Sequence, residues 1–157
     1  MQLLLIRHGL AAPAARSDAE RELTPQGRAR FMIEVQGLAR LGVRLERALS
    51  SPLARALQTA ELLAPLLAGD CEPFEPLAHA PSAGLLEVLS GGSLALVGHE
   101  PWQSQLAAWL VTGEPRGRGF ELSPGGVIAL EGQPRPRGMA LCGFWRPEDL
   151  LALGGLE

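Results

Sequence analysis

Residues 3–9 read LLLIRHG: four apolar side chains run directly into Arg7, His8 and Gly9. A short uninterrupted apolar run suits a strand buried on both faces, as in the parallel sheets of α/β proteins. Ending such a strand on a cation and an imidazole sets both at the rim of the sheet, where open α/β folds bind their ligands.

The rest of the chain repeats the strand-then-helix rhythm. Thr24-Pro25 in "LTPQG" marks a helix start, with Thr24 as N-cap and Pro25 at the first helical position. Phe31, Val35 and Leu38 follow at helical spacing, and Gly42 supplies a stop. Residues 46–50 read as a second strand. Ser51-Pro52 repeats the same start signal, ahead of a helix with Leu53, Leu57, Ala60, Ala64 and Leu67 on one face and Pro65 kinking its end. Residues 72–77 read as an edge strand broken by prolines, 82–90 as a helix, and 93–98 (SLALVG) as another buried strand. "HEPWQSQLAAWL" reads as a helix burying Trp102, Leu106, Trp109 and Leu110. Residues 10–23 and 113–119 read as loops, "GGVIALEG" and "GMALCGFW" as two strands, and the segment from Pro147 as a last helix. Strands alternating with helices predict a three-layer α/β sandwich around a mostly parallel sheet. With 157 residues and no repeat or linker, residues 1–157 read as one domain.

The totals narrow the function. A net charge of −3 argues against a nucleic-acid binder. All 14 basic residues are Arg, so an Arg carries no functional weight merely for not being Lys. Cys71 and Cys142 stand far apart in no metal or redox spacing, and no apolar run approaches a membrane span. A reduced, cytoplasmic protein without membrane attachment is the expectation. Only three Asp occur, and no spacing marks a metal site or a cofactor.

Several charged residues fall at comparable places. His8 follows the first strand and His99 the 93–98 strand. Arg55 lies in the first turns of the helix after Pro52, and Arg21 just before the helix capped by Thr24. Singly, each has a duller account: Arg55 as a solvated helix residue, Arg21 paired with Glu20 or Glu22, His99 as a cap. Together they gather two imidazoles and three arginines, counting Arg7, at one sheet edge. Arginine forks match phosphoryl oxygens, helix starts add N–H groups, and a neutral imidazole is a nucleophile near pH 7. The set suits metal-free phosphoryl transfer through a phosphohistidine.

On these residues the chain resembles the histidine phosphatase superfamily, the group that includes the cofactor-dependent phosphoglycerate mutases. The matching pieces are Arg7-His8-Gly9, Ser51-Pro52 through Arg55-Ala56 to Gln58-Thr59-Ala60, "VGHEP" with His99, and Arg21 to Gly27. They run in order from residue 3 to about residue 112; residues 113–157 match loosely. The short length and "SDAERELTPQGR" are most similar to the SixA-type phosphohistidine phosphatases. The resemblance implies a phosphoglycerate mutase-like fold, His8 as nucleophile, Arg7 and Arg55 as phosphoryl clamps with Arg21 assisting, and His99 stabilising developing charge. It also implies Gly9 as the tight turn beside the nucleophile, and a phosphohistidine-carrying protein, such as a phosphotransfer domain, as partner.

One departure bears on the substrate. Members that cleave phosphate esters use a Glu as general acid after a Leu-Glu-type pair, whereas here Leu77 is followed by Ala78. An alkoxide needs a proton to leave, and an imidazole leaves from phosphorus far more readily. A missing acid therefore favours phosphohistidine. Glu75 and His79 are the remaining candidate donors. The alternatives are a small-molecule phosphomonoesterase of the same superfamily and a silent phosphate-binding domain. About 25 residues separate the Arg55 helix from the His99 strand, little room for a helical lid.

Overall fold

The apolar run becomes the strand β1 (Gln2–Arg7), which lies inside a six-stranded sheet. The computed structural model describes residues 1–13 and 15–155. Its remaining elements are α1 (Pro25–Arg40), β2 (Arg47–Ser50), α2 (Ala54–Glu61), β3 (Cys71–Pro73), α3 (Ala83–Val88), β4 (Ser93–Gly98), α4 (Trp102–Thr112), β5 (Val127–Gly132), β6 (Met139–Trp145) and α5 (Pro147–Gly154). The sheet order is β3-β2-β4-β1-β5-β6. Pairs β1–β4, β2–β4 and β2–β3 are parallel, and β5 alone runs against its neighbours.

Alternation along β1 builds both cores. Leu3 and Leu5 join Leu94, Leu96, Leu106 and Leu110 on the face covered by α3 and α4. Leu4 and Ile6 join Phe31, Val35, Leu38 and Leu150 on the face covered by α1, α2 and α5. The expected three layers are present. Leu3, Leu5 and Ile6 are fully enclosed, and each such side chain contributes about 1.5–3 kcal/mol.

Local signals set most helix ends. Thr24 Oγ1 accepts the Gly27 amide at 2.8 Å, fixing the start of α1. Gly42 ends it at φ +80°, with Gly42 N donating to Ala39 O and Val43 N to Leu38 O, a paired closure that requires the left-handed turn. On the outer layer α1 and α5 meet backbone to backbone. A Cβ on Gly37 would run into the Leu150 carbonyl, and one on Gly154 into that of Ile33.

Four expectations are corrected. Helix α2 starts at Ala54, not at Pro52: Leu53 is still extended, and the Ser51 hydroxyl lies 2.7 Å from His99 Nε2 while accepting only a long 3.4 Å bond from Leu53 N. The inward face of α2 and the turn after it is Ala56, Thr59, Ala60, Leu63 and Leu66; Leu53, Leu57 and Leu67 are half-buried and Ala64 is exposed. The 72–77 strand is the three-residue β3, followed by a 3-10 turn at Glu75–Ala78, because Pro73 and Pro76 interrupt the ladder. In α4, Leu106 and Leu110 are enclosed, whereas Trp102 and Trp109 are half-buried. Gln103 takes the interior position, its amide donating to the Ile6 and Leu96 carbonyls at 3.1 and 2.8 Å.

Candidate active site

β1 and β4 are adjacent and parallel, so their ends bring Arg7-His8 and His99 to one edge. The two imidazole centroids lie 5.2 Å apart. The chain beyond β1 is pinned by backbone bonds: His8 N to Gly98 O at 3.0 Å, and Gly125 N to the carbonyls of Arg7 and His8 at 3.1 Å each. Gly9 N donates to Thr59 Oγ1 at 3.0 Å, and that hydroxyl donates to Arg55 O at 2.7 Å, tying β1 to α2. Gly9 is not in the left-handed region. It matters for its closeness, since an added Cβ would stand 3.3 Å from the Leu23 side chain.

His8 has a defined tautomer. Nδ1 lies 2.7 Å from Gly9 O, and a carbonyl only accepts, so Nδ1 carries the proton. Nε2 then presents its lone pair, which accepts from Arg55 Nε at 3.3 Å. Burial is the main cause holding the His8 pKa down to about 4, with the charges of Arg55, Arg7 and Arg21 assisting and the Gly9 bond opposing. His99 is held down to about 3, chiefly by burial and then by the charges of His8 and Arg55. His99 Nε2 is 2.7 Å from Ser51 Oγ. Both rings are therefore neutral at pH 7.

The three arginines converge from different elements. Arg7 Nη1 donates to Leu122 O at 2.6 Å. Arg55, at the second residue of α2, donates from Nη1 to Asp18 O at 2.7 Å and from Nη2 to Asp18 Oδ2 at 3.0 Å. Arg21 donates to Ala12 O at 2.8 Å and pairs at 3.0 Å with Asp18, not with Glu20 or Glu22. Arg7 Nε and His99 Nδ1 are buried without a hydrogen-bond partner within the described residues. Glu100 follows His99: Ser104 Oγ donates to it at 2.5 Å and Leu122 N at 3.4 Å. Burial raises its pKa, while the Arg7 charge acts against that rise.

The structure thus gathers His8, His99, Arg7, Arg55, Arg21 and Gly9. The candidate donors Glu75 and His79 form an exposed pair 3.2 Å apart at the 3-10 turn after β3. Ser51 and Thr59, which belong to the matching motif pieces, take part through their hydroxyls, and Asp18, Glu100 and Leu122 take part without having been read as site residues. Behind the site Glu34 of α1 lies against Gly125, its pKa raised to about 8 by burial. Among the described residues no group of three or more His, Cys, Asp or Glu forms a metal cluster, and no helix is long and apolar enough to cross a membrane.

Comparisons with known proteins agree with this geometry. Residues 3–79 match the family model of the histidine phosphatase superfamily (branch 1). The chain is 34% identical over 128 residues to the phosphohistidine phosphatase SixA of Escherichia coli K12, covering 73% of this chain and 76% of that one. It is 36% identical over 140 residues to an uncharacterized protein of Picosynechococcus sp., covering 83% and 84%. A solved structure of the protein histidine phosphatase SixA complexed with tungstate superposes with a TM-score of 0.79 at 26% identity, over 96% of this chain and 99% of that one. The chain belongs to the histidine phosphatase superfamily. It is a hydrolase acting on phosphoryl groups, on a SixA-like, phosphoglycerate mutase-like fold.

Proposed function

We propose that residues 1–157 form one metal-independent phosphatase domain that removes phosphate from phosphohistidine in a protein, through a covalent phosphohistidine on His8. The observation that carries this is the state of His8. Its proton is held on Nδ1 by Gly9 O, and its Nε2 lone pair points into a cluster of arginines. In this reading Arg7 and Arg55 hold the phosphoryl oxygens, with Arg21 adding charge. Nε2 attacks phosphorus, the P–N bond of the substrate breaks, and its imidazole leaves with the electron pair and takes a proton. Water then attacks phosphorus on His8, and the products are inorganic phosphate and free His8. A phosphoryl dianion against His99 raises that ring's pKa and so favours its imidazolium form, whose two N–H groups both donate and whose charge offsets the charge that builds. The carrier is a phosphohistidine protein such as a phosphotransfer domain, in a reducing cytoplasm suited to free Cys71 and Cys142. SixA of Escherichia coli, by its name, acts on the same linkage.

The second reading, a small-molecule phosphomonoesterase, needs a proton donor. Glu100 is the observation in its favour: a half-buried carboxyl with a raised pKa that feels the Arg7 charge.

The test is dephosphorylation of a histidine-phosphorylated phosphotransfer domain in EDTA, with His8→Ala alongside. Wild type is expected to release phosphate and to carry acid-labile label on His8, and the variant to do neither. Turnover of p-nitrophenyl phosphate without turnover of the phosphoprotein would refute the protein-substrate reading.

A further inference from the structure

The mechanism leaves one charged residue without a task, although it touches two of the three arginines. Asp18 begins a 3-10 turn (Asp18–Glu20) in the loop between β1 and α1. Its Oδ2 accepts from Arg55 Nη2 and its Oδ1 from Arg21 Nη1, each at 3.0 Å, and its carbonyl accepts from Arg55 Nη1 at 2.7 Å. Arg55 Nε is meanwhile on the His8 lone pair at 3.3 Å. Every nitrogen of the Arg55 guanidinium is thus engaged, and one whole edge of its fork lies on Asp18.

Burial explains the need for a counterion. The Arg55 side chain is 7% exposed and that of Asp18 is 64% exposed. A buried guanidinium is costly unpaired, and an exposed carboxylate is the partner that can be exchanged for another anion. The phosphoryl chemistry demands such an exchange. Phosphorus must approach His8 along the Nε2 lone pair, so the Arg55 Nε–H has to leave it, and phosphoryl oxygens then want the donors that Asp18 holds. Charge points the same way. Three arginines against the carboxylates of Asp18 and Glu100 leave one net positive charge, and a phosphoryl dianion brings about two negative ones. Releasing Asp18 to solvent restores the balance.

We propose that Asp18 is a built-in competitor for the phosphoryl group: its carboxylate holds Arg55 and Arg21 in the resting enzyme, yields them to an entering dianion, and reclaims them as inorganic phosphate departs. This rests on the phosphatase reading above and adds a specificity. Monoanions gain nothing over a carboxylate already in place, so the site favours dianionic oxyanions and sheds its product readily. Asp18 is a positioning and specificity residue; the nucleophile and the clamp remain His8, Arg7 and Arg55.

The test is calorimetric binding of inorganic phosphate and of tungstate to wild type, Asp18→Asn and Asp18→Ala at pH 8, with phosphate product inhibition measured in parallel. Thermal melts check that the variants are folded. Removing the competing charge is expected to lower Kd and the inhibition constant about threefold to tenfold, the worth of one partly buried charged contact. The gain should shrink at pH 5.5, where phosphate is a monoanion. An unchanged Kd, or a higher one in either variant, overturns the proposal; a higher one means Asp18 orients Arg55 for the ligand. If neither wild type nor variant binds either oxyanion, the phosphatase reading fails and this proposal with it. If wild type binds and the variants bind equally, only the competitor fails.

Discussion

Residues 1–112 and residues 113–155 contribute to the same site in different currencies. The first region supplies side chains: Arg7, His8, Arg21, Arg55 and His99. The second supplies peptide groups. Leu122 O accepts from Arg7 at 2.6 Å, Leu122 N donates to Glu100 at 3.4 Å, and Gly125 N holds the carbonyls of Arg7 and His8 at 3.1 Å each. Side-chain chemistry leaves a pattern of residue types; a peptide group leaves none, because every residue has one. The difference teaches that a region without a motif can still fix the geometry of a site.

Three experiments probe that division. The largest effect belongs to the motif region. His99→Ala is expected to lose about 10²–10³ of kcat with the fold retained, the usual loss for one donor to a developing oxyanion. A kcat within a few fold of wild type, in a steady-state assay, would remove His99 from the chemistry.

The second experiment tests the region that acts through its backbone. Gly125 sits at φ +87° with the Glu34 carboxyl beside it, so Gly125→Ala meets both strain and a clash. About 1–3 kcal/mol of stability, and on the order of tenfold of kcat/KM, should be lost although no functional side chain changes. Urea unfolding and kinetics on one sample check this. Loss of stability without loss of kcat/KM would confine the 122–126 segment to scaffolding.

The smallest effect is electrostatic. Nuclear magnetic resonance titration should place the His8 and His99 midpoints near 4 and 3. His8→Ala should raise the His99 midpoint, because the His8 charge is one cause of its depression. The sign for stability follows. Between the unfolded value near 6.5 and these folded values the unfolded chain binds more protons, so the histidines' contribution is present above about pH 6.5 and is lost as pH falls through that window. Glu34 acts oppositely. With its folded pKa raised to about 8, its contribution is present below the ordinary carboxyl range and is lost as pH rises toward 8. Unshifted histidine midpoints would mean a wetter site than the 7% exposure of each residue implies.

Much of the fold was legible because its signals are local. The LLLI run, the Thr24 cap, the Gly42 stop and the alternation of strands and helices each reflect the backbone preference of a few residues. The site was legible where a motif tied chemistry to a strand end. Other parts were not, for physical reasons. The Ser51 hydroxyl reads as a helix cap in the sequence, and only the nearness of β4 to β2 reveals its short contact with His99 beside a long one from Leu53 N. Gln103 occupies a buried position expected to be apolar because two carbonyls of the central strands lie within its reach. The Asp18–Arg55 contact spans 37 residues, and no spacing rule reaches that far.

The central place of β1 has a consequence for the birth of the molecule. Of the six strands described, β1 comes first in the chain, yet its two neighbours, β4 and β5, begin at residues 93 and 127. Helix α1 can cover Leu4 and Ile6 early, but both edges of β1 stay unpaired until those strands are made, and such distant pairings slow folding. The strand that leads into His8 is the one whose pairing partners lie farthest from it along the chain.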